Sequence, residues 1–350
     1  MSFKKGLSVF LAVTLFIVLS ACSSRDGNSA AGSSASSRGQ VVMEIKCETP
    51  PPESVNFVQL MHNYFFPELE ARTQGRYKGD IYPNSQLAGG DQMTAVNMVQ
   101  QGSIELGILG SGPLGSFVKD LPYTAMPFLF NSFEEVDKVF DMNSESGKYL
   151  RELHNKAGFE LLGVVENGFK QITNSKRQLY KPSDANGIKL RVSSNPILAD
   201  CWKANGANPT TYNISEAYSA FQQGVLDGQE NAFVTTIIPS KFYEVQKYIT
   251  VANYAYEIFL MVMNRNVWEK IDSETQQIMK TLAAKVIADA KVLDRASEQQ
   301  AIKTVTDYGC DVYMWTPEDV KVWKAAFAAE MEKHRALFDQ KLVAAIENSK

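Results

Sequence analysis

The stretch that decides the fold runs from Asn167 to Asn231 and contains NGFKQITNSKR (167–177), SDANGIKLRVSSNP (183–196) and GANPTTYNISEAYSAFQQGVLDGQEN (206–231). In its centre, apolar residues at 188, 190 and 192 alternate with Lys189, Arg191 and Ser193. This period of two predicts a half-buried strand with one apolar and one cationic face.

A helix and a second strand follow in the same stretch. The sequence NISE at 213–216 resembles a capping box, and Gly224 is typical of the position just beyond a helix end. Residues 225–231 then predict a short strand that ends in polar side chains. A strand, a helix and a strand, with an arginine and an amide near the strand ends, are typical of a ligand cleft in an α/β protein.

The order of these motifs resembles that of the solute receptors of tripartite ATP-independent periplasmic (TRAP) transporters. The matching motifs are GIKLRV, GANPTTYNISEAYSAFQQGVLDGQEN, KFYEVQKYIT, PNSQLAGGDQM, VQQGSIELGI and LPYTAMPFLF. The resemblance covers roughly residues 41–340. It implies a two-lobed, periplasmic-binding-protein-like α/β fold with a hinge. It also implies a receptor that binds a small organic acid and delivers it to one small and one large membrane subunit.

The length of the chain suits two lobes, since 350 residues can bury a substantial core. We assign residues 41–167 plus 257–296 to lobe I and residues 168–256 plus 297–350 to lobe II, with crossovers near Asn167, Tyr256 and Ala296. An apolar stripe over 272–307 predicts one long helix that spans both lobes.

The N-terminus is typical of a targeting segment. Two lysines precede an apolar run at 7–19 that is too short for a comfortable membrane span. The sequence LSAC predicts a lipoprotein signal peptide over 1–22, with Cys22 acylated after cleavage; the alternative is an ordinary signal peptide. Residues 23–40, rich in Ser, Gly and Ala, predict a flexible tether. We therefore expect a protein anchored by lipid in the cell envelope, on the extracytoplasmic (periplasmic) side.

The composition argues against other kinds of partner. A formal net charge of −4 and the lack of a basic stripe argue against nucleic-acid binding. The histidines His62, His154 and His334 lie far apart in the sequence, so we predict no metal site. Three cysteines besides Cys22 permit at most one disulfide bond, and free thiols are an equal alternative. These cysteines are Cys47, Cys201 and Cys310.

Arg191 is the leading candidate for ligand binding. A guanidinium donates two parallel hydrogen bonds to a carboxylate, whereas the alternative is a solvated arginine on an edge strand. In the resembling family, the arginine of the matching KLRV motif holds the ligand carboxylate. Lys170 and Ile214 depart from that family, which commonly has an arginine and an aromatic residue at these places. Tyr212 is the candidate to compensate for Ile214.

Further candidate contacts come from both lobes. The resemblance places Asn231 in the cleft as a hydrogen-bond partner, while the neighbouring Glu230 either shares that role or structures the loop. Gln92 and Ser111 are candidates from lobe I. The sequence GSGPLG at 110–115 fits GxGxxG but does not open the first βαβ unit of a nucleotide-binding fold. We interpret it as a strand-end loop that brings backbone close to a ligand or to the other lobe.

The sequence contains no nucleophile elbow, HExxH motif, phosphate loop or cysteine–histidine pair, so we expect neither an enzyme nor a cofactor. A lipid-anchored envelope hydrolase and a structural lipoprotein are the alternatives from other classes. Turnover of a bound acid would support the first, and lack of saturable small-molecule binding the second. A sugar acid, a dicarboxylate, a keto acid or an aromatic acid would each suit Arg191.

Overall fold

The computed structural model describes residues 40–350. The predicted signal peptide, Cys22 and all of the predicted tether except Gln40 lie outside this range. The strands are β1 (Met43–Glu48), β2 (Tyr77–Tyr82), β3 (Leu106–Gly110), β4 (Phe159–Phe169), β5 (Gln171–Asn174), β6 (Lys189–Val192), β7 (Asn208–Thr211), β8 (Gly228–Asn231), β9 (Tyr248–Val251), β10 (Tyr256–Asn264) and β11 (Asp311–Met314).

The helices include several short turns of other types. The α-helices are α1 (Asn56–Leu60), α2 (Phe66–Arg72), α3 (Gln92–Gln101), α4 (Ser111–Leu114), α5 (Phe133–Phe140), α6 (Glu145–Lys156), α7 (Pro196–Ala204), α8 (Ile214–Gln222), α9 (Arg265–Trp268), α10 (Ser273–Asp307), α11 (Pro317–Arg335) and α12 (Gln340–Ser349). The π-helical turns are Met61–Phe65 and Phe233–Ile237, and the 3₁₀ turns are Gln86–Ala88, Leu121–Ala125, Pro182–Ala185 and Phe242–Glu244.

The strands form two mixed sheets, which confirms the two-lobed α/β prediction. Sheet A has the order β2-β1-β3-β10-β4, and sheet B has the order β11-β9-β5-β8-β6-β7. In sheet A, β10 runs antiparallel to both of its neighbours. The predicted strand is β6, which lies parallel to β7 and β8 in sheet B. It is more buried than predicted, because of its four residues only Lys189 is exposed. Each sheet carries helices that cover its apolar faces.

The chain crosses between the sheets at two adjacent places beside Lys170, and a third time through α9 and α10, which join β10 to β11. Strand β4 of sheet A continues into β5 of sheet B with only Lys170 between them. The return crossing joins β9 of sheet B to β10 of sheet A, and the backbone N–H of Lys170 donates to the carbonyl of Ala255 in that segment at 2.8 Å. The residues from 249 to 263 are divided between a strand of each sheet. The exact boundaries of the two lobes stay a prediction.

The long helix α10 connects the two lobes by packing. It has 35 residues, which corresponds to about 52 Å at about 1.5 Å per residue. Asp272 caps its start by accepting a hydrogen bond from the N–H of Thr275. The helix contacts β4 of sheet A and also the π-helical turn Phe233–Ile237 that follows β8 of sheet B. This confirms the predicted helix that spans both lobes.

Two other predictions concern the chain ends and the cysteines. The C-terminal helix α12 packs on α5 and α6, next to sheet A, although the sequence assigned 297–350 to lobe II. The cysteines at 47, 201 and 310 are free thiols. Within the described residues, no helix combines the length and the apolar character that crossing a membrane requires.

Asp294 is a buried carboxyl group on α10 beside the crossing strand. Its side chain is 3% exposed and accepts a hydrogen bond from the Asn56 amide at 2.7 Å. Burial raises the pKa of Asp294 to about 6; the Asn56 hydrogen bond opposes this shift, and the negative charge of Glu166 adds to it. The folded protein therefore binds this proton more tightly than the unfolded chain does.

We predict that Asp294→Asn stabilises the protein above about pH 6 and has little effect below about pH 4. A raised carboxyl pKa gives stability that is complete at low pH and is lost as the pH rises through the folded value. The gain at pH 7.5 should be roughly 2 kcal/mol, because a pKa shift of about two units is worth up to about 3 kcal/mol. Urea unfolding of both proteins at pH 4 and pH 7.5 measures it, and an equal gain at both pH values would contradict the assignment.

Candidate ligand-binding site

A cavity of about 270 Å³ lies between the two sheets. Its wall comes from both lobes: Gly110 and Phe259 belong to strands of sheet A, and Arg191 and Asn231 belong to strands of sheet B. The three prolines at 50–52, just after β1, also line it. Clefts between two lobes with a few convergent polar groups are the usual form of a small-molecule site.

Arg191 lies on β6 and reaches the cavity although it is only 3% exposed. Its Nε–H donates to the carbonyl of Tyr212 at 2.9 Å, which fixes the plane of the guanidinium. No acceptor within residues 40–350 forms a hydrogen bond with its two terminal nitrogens, Nη1 and Nη2. Burial lowers the pKa of Arg191, while the charges of Glu230 and Glu257 oppose that shift. An arginine in this setting stays protonated.

Lys170 is buried between two glutamates. Its Nζ lies 2.8 Å from Oε2 of Glu230 and 3.1 Å from Oε2 of Glu257, and its side chain is 1% exposed. Glu230 belongs to β8 of sheet B and Glu257 to β10 of sheet A. The lysine at the crossing point is therefore an ionic link between the two sheets.

The pKa values of this triad follow from burial and pairing. Burial alone would lower the pKa of Lys170, but the two glutamates raise it above its ordinary value. Burial raises the pKa of Glu230, and the charge of Lys170 opposes that shift. Lys170 therefore remains a cation, held by partners inside the protein.

Neighbouring side chains fix the two carboxylates. The Tyr254 hydroxyl donates to Oε2 of Glu230 at 3.1 Å and accepts from the indole N–H of Trp202 at 3.0 Å. The Ser111 hydroxyl donates to Oε1 of Glu257. Each glutamate thus has a second, buried donor besides Lys170, which keeps both carboxylates in place.

The structure brings most of the predicted site residues together. Those that line the cavity are Arg191, Asn231, Lys170, Ile214 and Gln92. Two others do not line it. Tyr212 contributes its backbone carbonyl to Arg191, and Ser111 lies behind Glu257 as its hydrogen-bond donor. The aromatic side chains on the cavity wall are Tyr218, one helical turn after Ile214 on α8, Phe242 and Phe259, so Tyr212 does not supply the aromatic wall.

Loop contacts join the two lobes near the cavity. Asn213 occupies the N-cap position of α8, but its side chain makes no capping hydrogen bond, so the predicted capping box does not form. Its amide donates instead to Asp91 of the other lobe at 3.2 Å, and the Ser215 hydroxyl donates to the carbonyl of Gly90 at 3.1 Å. A Cβ at Gly112 would lie 3.3 Å from the carbonyl carbon of Ser194, as expected for a close approach of backbones.

Ser193 and Glu257 are two polar residues of the cavity wall among those that the sequence did not reveal as site residues. Ser193 has a buried hydroxyl without a hydrogen-bond partner in the part of the chain that the structure describes. Glu257 is 4% exposed and lies on β10, whose residues are all buried. A single acidic residue inside the apolar run YEIFLMVMN was the signal that could have found it.

Outside the cavity, one histidine does meet two carboxyl groups. His334 on α11 has Nε2 2.8 Å from Oδ2 of Asp200, and the Glu330 carboxyl lies close to both. The sequence did not predict this cluster, because Asp200 lies far from Glu330 and His334 along the chain. Glu330 also pairs with Lys333 at 2.9 Å, so the group is accounted for by ion pairing near the surface.

Comparison with known proteins identifies the family. Residues 49–336 match the family described as bacterial extracellular solute-binding protein, family 7 (DctP). The chain belongs to this family. A solute-binding protein of Verminephrobacter eiseniae is 37% identical over 213 residues, which cover 61% of this chain and 62% of the relative, so the match spans less than two thirds of that protein.

Solved TRAP receptors share the fold. A periplasmic solute-binding protein from Ralstonia eutropha, crystallised with (S)-2-acetolactate, is 28% identical with a TM-score of 0.82, covering 87% of this chain and 98% of that one. A receptor from a Polaromonas species, crystallised with D-erythronate, is 30% identical with a TM-score of 0.80, covering 87% and 97%. The predicted relationship to TRAP solute receptors is confirmed.

We predict that Lys170→Ala destabilises this family 7 protein by on the order of 3–5 kcal/mol, the effect of breaking a buried ion pair. The change leaves Glu230 and Glu257 buried beside each other without the cation that pairs with both. Urea unfolding monitored by tryptophan fluorescence measures the loss. The control is Lys138→Ala, which removes an exposed pair with Glu134 and should change the stability by less than about 1 kcal/mol. Equal stability of the two variants would contradict the ionic link.

Proposed function

We propose that this chain is an extracytoplasmic receptor that holds a small organic acid in the cavity, with the carboxylate on Arg191, and delivers it to a TRAP-type membrane permease. The observation that carries the proposal is the guanidinium of Arg191. It is buried, it is held in plane by the Tyr212 carbonyl, and it reaches the cavity with two terminal nitrogens that bind no acceptor of residues 40–350.

A carboxylate is the group that best matches these nitrogens. The planar fork of a guanidinium donates two parallel hydrogen bonds to the two oxygens of a carboxylate, and burial strengthens such charge-assisted bonds. The hydroxyl of Ser193, just beyond the end of β6, is a further donor on the same wall. Asn231 offers an amide from the neighbouring strand β8.

Two solved relatives support a small acid as the ligand. The Ralstonia receptor was crystallised with acetolactate and the Polaromonas receptor with D-erythronate, and both ligands are 2-hydroxy acids. The cavity of about 270 Å³ lies just below the range of about 300–1,000 Å³ for ligand pockets. A compact sugar acid, keto acid, dicarboxylate or aromatic acid is therefore favoured over an oligomeric ligand.

The proposed receptor closes on its ligand by a hinge between the lobes. We place lobe I at 41–167 plus 257–296 and lobe II at 168–256 plus 297–350, with the C-terminal helix α12 of lobe II packed against lobe I and with crossovers near Asn167, Tyr256 and Ala296. A ligand in the cavity contacts both sheets, and each contact across the cleft favours the closed form. The closed receptor is the form that one small and one large membrane subunit would receive.

The remaining parts of the proposal concern the anchor and catalysis. We propose that Cys22 carries a lipid and holds the receptor at the extracytoplasmic side of the envelope. We assign no catalytic step to the cavity, because the family is one of transport receptors. That membership disfavours both the hydrolase and the structural lipoprotein.

We predict that Arg191→Ala abolishes measurable binding and that Arg191→Lys weakens it severely, while both proteins remain folded. Lysine keeps the charge but lacks the fork, so it separates geometry from electrostatics. The loss for alanine should be on the order of 2–5 kcal/mol, as for removing one partner of a buried charge pair.

A thermal-shift screen of organic acids first identifies the acid that stabilises the wild type most. Calorimetric titration of each variant with that acid then measures the affinity. Arg177→Ala is the matched control, because Arg177 belongs to the same lobe, does not line the cavity and bonds the Asn186 carbonyl at the surface. It should bind like the wild type. A folded Arg191→Ala protein that binds with wild-type affinity would remove Arg191 from the site.

We predict that Cys22→Ser moves the full-length protein, expressed with its own N-terminus, from the detergent phase to the aqueous phase of a detergent extraction, because the residue to be acylated is gone. Cys310→Ser should leave the partition unchanged. A Cys22→Ser protein that stays in the detergent phase would disprove the anchor and leave the receptor proposal intact.

A further inference from the structure

The cations of the cavity differ in what they can offer a ligand. Lys170 and Arg191 are the two basic residues that line it within the described chain. The Lys170 ammonium already lies within 3.1 Å of two carboxylates, whereas the terminal nitrogens of Arg191 bind no acceptor of residues 40–350. A ligand therefore meets one cation that is free to pair, not two.

Glu257 gives the same wall a fixed negative charge. It is the acidic residue among the described lining residues, and it is 4% exposed. Ser111 and Lys170 hold its two oxygens, and its strand β10 is buried along its whole length between β3 and β4. The carboxylate cannot swing into solvent when a ligand enters.

The charges of the site constrain the charge of the ligand. Lys170 and Arg191 balance Glu230 and Glu257, so the four ionised side chains carry no net charge. One ligand carboxylate pairs with Arg191. A second would need to displace Glu257 from Lys170 or lie unpaired beside it in a buried site, and unpaired buried charges are strongly unfavourable.

Resting on the proposed function, we propose that this site selects monocarboxylates that carry hydroxyl groups and rejects dicarboxylates, with Glu257 as the residue that determines this specificity. A ligand hydroxyl can donate to Glu257, since a carboxylate has acceptor capacity beyond its bonds to Ser111 and Lys170. The hydroxyl of Ser193 and the amide of Asn231 serve further ligand oxygens. A second ligand carboxylate cannot donate a hydrogen bond to Glu257, and its negative charge is repelled by that of Glu257.

The test compares acids that differ in one terminal group. D-erythronate and meso-tartrate differ only in a hydroxymethyl group against a carboxylate, and glycerate and hydroxymalonate form a second such pair. In calorimetric titrations, the wild type should bind the monocarboxylate of each pair at least about 100-fold more tightly than the dicarboxylate. The reason is that like-charge contacts cost several kcal/mol.

The variant Glu257→Gln keeps the shape and removes the charge, which also frees Lys170 for a second ligand carboxylate. It should reduce the wild-type preference at least about tenfold, mainly by a gain in dicarboxylate affinity. Glu269→Gln is the control, since Glu269 lies outside the cavity and pairs with Arg265 on the surface. It should keep the wild-type ratio.

The outcomes separate this inference from the function on which it rests. A wild type that binds meso-tartrate as tightly as D-erythronate, or a folded Glu257→Gln protein with an unchanged ratio, overturns the selection by charge and leaves the receptor intact. If Glu257→Gln does not fold, the wild-type ratios decide. A wild type that binds no acid of a wide panel overturns the receptor proposal and this inference with it.

Discussion

The buried ion pairs of Lys170 with Glu230 and Glu257 are the interaction on which the rest of the structure depends. They join one strand of each sheet at the point where the chain crosses between them. Desolvation of three charges is costly, so the arrangement is stable only as a complete unit with its supporting donors Ser111 and Tyr254. The relative position of the two sheets at the crossing is therefore tightly specified.

The same ion pairs decide the chemistry of the cavity. Because the charge of Lys170 is already paired with Glu230 and Glu257, Arg191 is the cation that can pair with a ligand. Arg191 lies on β6, which the alternation of apolar and polar residues in the sequence predicted. The Tyr212 carbonyl fixes the plane of its guanidinium. A lysine at this position would present a point charge on a flexible stem, without that orientation.

The sequence predicted those features that depend on local pattern. Periodicity predicted the strand of Arg191 and the long helix α10. The sequence did not predict that Lys170 pairs with Glu257, because this ion pair joins segments that are distant in the chain and meet only in the folded protein. The side chain of Asn213 does not cap α8 for a similar reason. Its amide nitrogen donates to Asp91 of the other lobe, a partner that the local sequence does not reveal.

The contacts between the lobes are of two unequal strengths, and this determines how the cleft can open. At the cavity edge, the bonds of Asn213 to Asp91 and of Ser215 to Gly90 are partly or fully exposed, and each is worth about 0.5–1.5 kcal/mol. Breaking the ionic link of Lys170 would instead cost several kcal/mol. Opening by rotation about Lys170 separates the edge contacts and keeps the link, so the crossing strands are the natural pivot. A ligand on Arg191 then adds its own contacts across the cleft to this weaker set, and the sum favours the closed form.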